Sequence, residues 1–186
     1  DVDRAPKMGI GDILIKEGKK LELNLSKLVV DPDGDEVSFK ISKMPAGANL
    51  QAGILRWQPN YNYVQRRVNF FTNFLSRIKL ERFVLSQSKK VNLLVTACGR
   101  EKCSNQTMKV EVENVNQKPV LNQINDIIIT ENDKLSLKPV ANDLDRDVLK
   151  YRFEKPLNSQ GEWETSYGDS GNYAIKVMAS DGQTSD

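Results

Sequence analysis

The sequence predicts an all-β protein that consists of two consecutive β-sandwiches, the first of which carries a helical insertion. Three observations lead to this prediction: short runs of alternating apolar and polar residues, an internal repeat, and one segment whose apolar residues recur with a helical period. Apolar residues make up 39% of the 186 residues, which is enough for packed cores.

The alternating runs are bounded by Gly, Pro, Asp and Asn and recur along the whole chain. A period of two residues is typical of strands that cover one side of a hydrophobic core. Trp57 and Trp163 lie in such runs, and we predict that their rings fill the space between two sheets rather than stack on sugars. In chain order the predicted strands are residues 13–15, 21–25, 37–41, 91–97, 107–112, 135–137, 149–153 and 173–177.

The chain contains two copies of one pattern, with the matching blocks in the same order. The paired blocks are residues 12–23 with 126–137, 30–41 with 142–153, 53–61 with 161–167, and 93–97 with 175–179. Such self-similarity predicts two copies of one domain. We therefore expect a linker from a preceding repeat at 1–7, a first sandwich at 8–116 with an insertion at 62–90, and a second sandwich at 117–186.

The second copy lacks its last strand. In the first copy, a closing strand at 107–115 follows the strand that ends at Ala97, whereas the second copy ends shortly after the equivalent Ala179. A strand edge with unpaired backbone groups favours pairing with another strand. We therefore expect the parent chain to continue with about ten strand-forming residues, or a segment of another chain to fill the gap.

The insertion carries the helical pattern. Val64, Val68, Phe71, Leu75 and Ile78 follow one another at spacings of four and three residues, which predicts a helix within 62–86. Seven basic residues and one acidic residue lie in 61–90, although the whole chain has a net charge of only +2. This basic surface is either the solvated side of a packed helix or a docking surface for an acidic partner or an anionic surface. A β-strand for part of the segment is the alternative to the helix, because Phe70, Phe74 and Phe83 lie off the helical stripe.

Composition argues against catalysis. Histidine is absent, which removes the commonest general base, the commonest zinc ligand and every histidine-dependent catalytic triad. We therefore predict that the chain is not an enzyme. Nucleic-acid binding is not expected either, because the basic residues cluster only in the insertion. No run of about 18 apolar residues occurs, so we expect no transmembrane segment in this fragment.

The two cysteines indicate a compartment. Cys98 and Cys103 lie between two predicted strands, which favours a disulfide at the end of a hairpin over a pair of free thiols. A disulfide implies an oxidising, extracellular, cell-surface or periplasmic location. Asn24 and Asn105 each begin an Asn-x-Ser/Thr triplet, which is a weak signal for glycosylation.

The ordered motifs resemble those of cadherin-like repeats, especially the dystroglycan-type and bacterial immunoglobulin-like branches. The motifs that carry the resemblance are Glu17-Gly18, Asp31-Pro-Asp33-Gly-Asp35, Met44-Pro45-Ala46-Gly47, Gly53-Ile-Leu-Arg-Trp57-Gln-Pro59, Glu131-Asn132, Asp143-Leu-Asp145-Arg-Asp147 and Ala179-Ser-Asp-Gly182. The resemblance implies two tandem immunoglobulin-like, Greek-key sandwiches in a surface or secreted repeat array, acting as a stalk, spacer or adhesive module.

The resemblance also implies calcium as a ligand. Calcium prefers six to eight oxygen ligands, and the candidate ligands are Glu113, Asn116, Glu131, Asp143, Asp145, Asp31, Asp33 and Asp35. The linker departs from the family pattern, because Val115 and Gln117 replace expected ligands. The alternative is that both aspartate motifs are solvated turns whose carboxylates accept backbone amides.

These observations favour a non-catalytic extracellular or cell-surface module for adhesion, spacing or protein–protein interaction. Its partners would be a protein or surface ligand, or neighbouring repeats. An accessory domain of a secreted hydrolase is the alternative function.

Overall fold

The computed structural model describes residues 2–65 and 88–186, and it divides into two compact units, Asp1–Val115 and Asn116–Asp186. Regular structure in these residues consists of β-strands and one short 3-10 helix, Leu25–Lys27. The predicted all-β class is therefore confirmed.

Unit 1 contains two sheets and a short strand pair. In chain order its strands are β1 Lys7–Met8, β2 Ile13–Lys16, β3 Leu21–Asn24, β4 Val29–Val30, β5 Ser38–Ser42, β6 Asn49–Gln51, β7 Ile54–Trp57, β8 Ser88–Cys98 and β9 Cys103–Glu113. One sheet has the order β2-β9-β8-β5, the other has the order β3-β7-β6, and β1 pairs with β4. Only the β2–β9 pair is parallel among these described strands.

The core of unit 1 is formed by alternate residues of its strands. Met108, Val110 and Val112 of β9 are fully buried, while the residues between them are not. Trp57 of β7 is buried, as predicted, and its indole Nε1 donates to the carbonyl oxygen of Ala46 at 3.3 Å. The period of two residues thus places one side of each strand in the core.

Unit 2 contains six short strands in three antiparallel pairs. The strands are β10 Val120–Leu121, β11 Lys134–Ser136, β12 Ala141–Asn142, β13 Lys150–Phe153, β14 Glu162–Glu164 and β15 Val177–Ser180. The pairs are β10 with β12, β11 with β14, and β13 with β15.

The strand pairs of unit 2 have the registers of their counterparts in unit 1. Leu21 pairs with Trp57, and Leu135 pairs with Trp163. Likewise, Phe39 pairs with Ala97 in unit 1, and Tyr151 pairs with Ala179 in unit 2. The third matching pair is 7 with 30 in unit 1 and 120 with 142 in unit 2. The residues that the sequence repeat equates are therefore the residues that occupy equivalent ladder positions.

Most of the predicted helical insertion lies outside the described residues, including Val68, Phe71, Leu75 and Ile78. At the described start of the insertion, residues 62–64 form a turn and a bend, and the helix predicted within 62–86 stays a prediction. Val64 is buried there, and its amide donates to Glu17 Oε1 at 2.6 Å. This contact holds the start of the insertion against unit 1.

Two further strand boundaries differ from the prediction. Residues 88–90 belong to β8 rather than to the insertion, because they pair with residues 111–113 of β9. Residues 173–176 are not a strand, although the equivalent residues 91–94 are part of β8. Residues 91–93 of β8 pair only with β9, whereas residues 94–98 also pair with β5. Unit 2 retains the counterpart of the β5–β8 pairing, which is the pairing of β13 with β15, so only Val177–Ser180 forms a strand.

Candidate functional site

The aspartate motif of unit 1 forms a turn that binds the segment entering the unit. Asp31 Oδ1 accepts the amides of Asp33 and Asp35 at 2.9 and 3.3 Å. Asp33 in turn accepts the Arg4 amide at 2.7 Å and forms an ion pair with the Arg4 guanidinium at 2.7 Å. The hydrogen bond from the Arg4 side chain lowers the pKa of Asp33, which keeps the carboxylate charged.

The aspartate motif of unit 2 has the same hydrogen bonds. Asp143 Oδ1 accepts the amides of Asp145 and Asp147 at 2.9 and 3.1 Å. The buried Asp145 carboxylate accepts the Gln117 amide at 2.6 Å. Gln117 stands two residues before Pro119, as Arg4 stands two residues before Pro6. Both units therefore bind their entering segment through the middle aspartate of the motif.

One oxygen of each first aspartate is buried without a hydrogen-bond partner, namely Oδ2 of Asp31 and Oδ2 of Asp143. Asp3 Oδ2 is also buried without a hydrogen-bond partner. Position 99, which packs against Asp31, requires a glycine, because a Cβ there would lie 2.6 Å from Asp31 Oδ2. Orphaned carboxylate oxygens are groups that a cation could satisfy.

The described residues contain no group of three or more acidic, histidine or cysteine side chains that could hold a metal ion. The predicted ligand Glu131 is engaged elsewhere, since its Oε1 accepts the amides of Gly168 and Ser170 at 2.8 and 2.9 Å. Glu113 is the last residue of β9, and its carbonyl oxygen accepts the Glu17 amide at 3.0 Å. The aspartate motifs thus fit a cation only in part, and other oxygens would have to complete the shell.

Glu17 is a buried carboxylate outside the set of predicted site residues. Its Oε1 accepts the Val64 amide at 2.6 Å and its Oε2 accepts the Val115 amide at 3.2 Å. Glu131 holds the equivalent loop of unit 2 through Ser170. The matching Glu-Gly and Glu-Asn motifs mark these two glutamates in the sequence. The motifs do not predict the hydrogen-bond partners, because those partners are distant in the chain.

The predicted disulfide between Cys98 and Cys103 is present and joins the ends of β8 and β9. The same turn occurs in unit 2 with Ser180 and Ser185 at the two cysteine positions, where they form a β-bridge. The amide of Gly99 donates to the Lys102 carbonyl at 3.0 Å, and the amide of Asp181 donates to the Thr184 carbonyl at 3.3 Å.

Asp181 is the centre of a hydrogen-bond network in unit 2. Its Oδ1 accepts the amides of Gln183 and Thr184 at 2.6 and 2.5 Å, and its Oδ2 accepts from the Thr184 hydroxyl and from Asn116 Nδ2 at 2.6 and 2.8 Å. Burial alone would raise the pKa of Asp181, but these hydrogen bonds outweigh burial and lower it. Asn116, a predicted calcium ligand, thus orients its amide group toward a carboxylate.

The two glycosylation triplets differ in accessibility. Asn105 is exposed on β9, where its Oδ1 accepts the Thr96 hydroxyl at 2.6 Å. Asn24 ends β3 and is half-buried, and its Oδ1 is buried without a hydrogen-bond partner. Modification of either asparagine stays a prediction, and Asn105 has the more accessible side chain.

No helix in the described part of the chain is long and apolar enough to cross a membrane.

Comparison with known proteins supports the fold. No family model and no curated protein matches the sequence. The chain is similar to repeats EC1-2 of human protocadherin-24 in crystal form II, with a TM-score of 0.53 and 15% identity over 95% of this chain and 87% of that chain. Another structure of human protocadherin-24 EC1-2 gives a TM-score of 0.49 and 14% identity, over 96% and 87% of the two chains.

An endo-fucoidan hydrolase from glycoside hydrolase family 107 gives a TM-score of 0.37 and 16% identity, over 95% of this chain and 32% of that chain. Only the first of these three TM-scores exceeds 0.5, so the conclusion rests on form II of protocadherin-24. At 15% identity the similarity shows the fold alone, and the predicted cadherin-like fold is confirmed. The dystroglycan-type or bacterial branch stays a prediction.

Proposed function

We propose that the chain is a non-catalytic extracellular repeat module that serves adhesion, spacing or protein–protein interaction. The supporting observation is that each unit binds its own entering segment in the same way, Asp33 to the Arg4 amide and Asp145 to the Gln117 amide. A module of a linear array needs its entering segment fixed, because a loose linker would decouple neighbouring modules. The disulfide supports an oxidising location.

The aspartates themselves support a structural role over a catalytic one. Asp31, Asp33, Asp143, Asp145 and Asp181 each accept at least one backbone amide, and a general base must instead present its oxygen to a substrate. The alternative role beside a secreted hydrolase stays a prediction, as does an acidic partner for the basic insertion.

An adhesion assay tests the interaction role. Beads that carry the 186-residue chain at high density should aggregate with one another or attach to cells that display extracellular proteins. Beads that carry the heat-denatured chain are the control and should remain dispersed. Dispersed beads at every coating density, together with turnover of polysaccharide substrates by the chain, would contradict the proposal.

We also propose calcium as a ligand of the two aspartate motifs. The support is the orphaned oxygen that both motifs share, Oδ2 of Asp31 and Oδ2 of Asp143. Because the described residues contain no larger acidic cluster, backbone carbonyls, amide side chains and water would supply the other oxygens.

Millimolar calcium should therefore raise the melting temperature of the chain. A ligand that binds only the folded state stabilises it by about 2.7 kcal/mol at a hundred times its dissociation constant. The shift should shrink in Asp31→Asn and in Asp143→Asn, whereas the exposed control Asp126→Asn should keep it. Identical melting curves in calcium and in chelator would contradict calcium binding.

A further inference from the structure

The aspartate motif of unit 1 already holds a positively charged group. The guanidinium of Arg4 donates from Nε and Nη2 to Asp33 Oδ1 at 3.0 and 2.7 Å, and from Nη2 to the carbonyl oxygen of Pro32 at 3.0 Å. The backbone amide of Arg4 donates to the other carboxylate oxygen, Asp33 Oδ2, at 2.7 Å. Both carboxylate oxygens of Asp33 and one carbonyl oxygen of the motif therefore accept hydrogen bonds from Arg4.

These oxygens are of the kind that a calcium ion requires. Calcium takes about six to eight carboxylate, carbonyl or water oxygens. Carboxylates alone do not complete such a shell, because the part of the chain that the structure describes contains no group of three acidic side chains that could hold a metal. Next to these oxygens in the chain, the buried Asp31 has one oxygen, Oδ2, without a hydrogen-bond partner. A calcium ion at Asp31 Oδ2 would thus have to compete with Arg4 for the neighbouring oxygens.

The charges around Asp33 strengthen this competition. The hydrogen bonds from Arg4 lower the pKa of Asp33, and the charges of Arg4 and Lys102 add to the effect. The hydrogen bond to Asp33 raises the pKa of Arg4, and the charges of Asp33 and Asp31 contribute to the rise. The guanidinium therefore lies in the field of both carboxylates, and it reduces the attraction that the motif exerts on a second cation.

The equivalent residue of unit 2 shows that the charge is not needed to bind the entering segment. Gln117 occupies the position of Arg4. Its backbone amide donates to Asp145 at 2.6 Å, as the Arg4 amide donates to Asp33. Its uncharged side chain donates to the carbonyl oxygen of Asn116 at 3.4 Å. The backbone hydrogen bond is thus common to both units, and the positively charged side chain is specific to unit 1.

We propose that Arg4 is an internal cation that competes with calcium for the aspartate motif of unit 1 and thereby sets the affinity of this motif for the metal. Without calcium, the guanidinium occupies Asp33 Oδ1 and the Pro32 carbonyl oxygen. When calcium binds, the Arg4 side chain gives up these two oxygens, whereas the Arg4 amide keeps its bond to the carboxylate. The side chain is 63% exposed, so it moves into solvent without unpacking the core. The inference rests on the calcium ligand proposed above and names the residue that regulates it.

A calcium titration of the full 186-residue chain, followed by NMR at individual backbone amides, tests the proposal. The reporters for unit 1 are the amides of Asp33 and Asp35, which donate to Asp31 Oδ1. The reporters for unit 2 are the equivalent amides of Asp145 and Asp147. Each pair of amides gives the calcium concentration at the midpoint of the response of its own motif.

Three variants of the chain separate the side chain of Arg4 from charge in general. Arg4→Gln introduces the residue type of unit 2 and should lower the midpoint of unit 1 about two- to fivefold, because an exposed ion pair no longer has to be broken. The midpoint of unit 2 should not change. Arg4→Lys keeps the charge but loses the planar fork of donors, so its midpoint should lie between these two. The control Lys20→Gln removes an exposed charge between β2 and β3 and should leave both midpoints unchanged.

Melting in chelator and in saturating calcium separates competition from simple structural support. In chelator, Arg4→Gln should melt at a lower temperature than the wild type, because it lacks the ion pair with Asp33. In saturating calcium this difference should disappear, because the wild-type ion pair is then broken as well. A difference of the same size under both conditions would show that Arg4 only supports the fold, and it would overturn the proposal.

The titration distinguishes failure of this inference from failure of the calcium proposal. Equal midpoints of unit 1 in the wild type and in Arg4→Gln would overturn the inference and leave calcium as a ligand of the motif. An equal decrease in Lys20→Gln would also overturn it, because net charge would then explain the effect. If the amides of Asp33 and Asp35 respond to calcium in none of these proteins, the motif of unit 1 is not a calcium site and both statements are wrong.

Discussion

Single carboxylates hold the loops of both units, and Asp181 accepts four hydrogen bonds in unit 2. Its four hydrogen bonds require a charged acceptor, because a protonated carboxyl loses part of its accepting capacity. Since the hydrogen bonds stabilise the charged form, Asp181 couples the stability of unit 2 to pH.

The folded pKa of Asp181 lies below its ordinary value of 3.8. The stabilisation is therefore fully present above that value and is lost as pH falls through the lower folded pKa. We expect the free energy of unfolding of Asp181→Asn to be lower than that of the wild type at neutral pH, and the difference to narrow below about pH 4. Denaturation followed at unit 2 amides measures it, and a pH-independent difference would contradict this role.

Backbone conformation supplies a reciprocal test within the aspartate turns. Gly34 and Arg146 occupy equivalent turn positions with φ of 80° and 61°. A non-glycine residue in the left-handed region costs about 1 kcal/mol. Arg146→Gly should therefore stabilise the chain by about that amount, and Gly34→Ala should destabilise it similarly, since the space around Gly34 is open. Equal signs for the two substitutions in chemical denaturation would refute this account.

At the level of elements, the turn between β8 and β9 in unit 1 is closed by a disulfide, whereas the equivalent turn of unit 2 has Ser180 and Ser185 in place of the cysteines. Replacing both Cys98 and Cys103 by serine reproduces the Ser180–Ser185 turn. The change should lower the free energy of unfolding by about 2 kcal/mol, because a short closed loop restricts the unfolded chain only modestly. The matched gain is Ser180→Cys with Ser185→Cys, which should form a disulfide and stabilise unit 2. Thiol titration shows whether each disulfide is present, and calorimetry measures the stability of each variant. If the new disulfide stabilises unit 2 but removal of the native disulfide does not destabilise unit 1, the two turns are not equivalent.

Element type was predictable where a strand is defined by its own alternation and by a partner within the chain, as in β2, β5 and β9. Residues 173–176 have the same alternation but lack the partner that β9 provides, so they are not a strand. Local sequence cannot supply this information, since pairing joins residues distant in the chain. The disulfide was predictable because its cysteines are neighbours, whereas the contacts of Glu17 with Val64 and Val115 are not local.

At the level of the whole molecule, the two compact units predict separate unfolding. Each unit has its own internal contacts, and domains of this size generally unfold as separate cooperative units. Calorimetry should resolve two transitions, and a reducing agent should lower only the transition of unit 1, which holds the disulfide. A single transition that shifts as a whole on reduction would show instead that the units unfold together.

The parallel pairing of β2 with β9 has a mechanical consequence. These strands lie near the two ends of unit 1 and share four consecutive residue pairs, from Ile13 with Val110 to Lys16 with Glu113. Tension that pulls the two ends of the unit apart drives the strands past each other along their length, so their hydrogen bonds share the load and must rupture together. Unit 1 is therefore expected to resist stretching between its two ends.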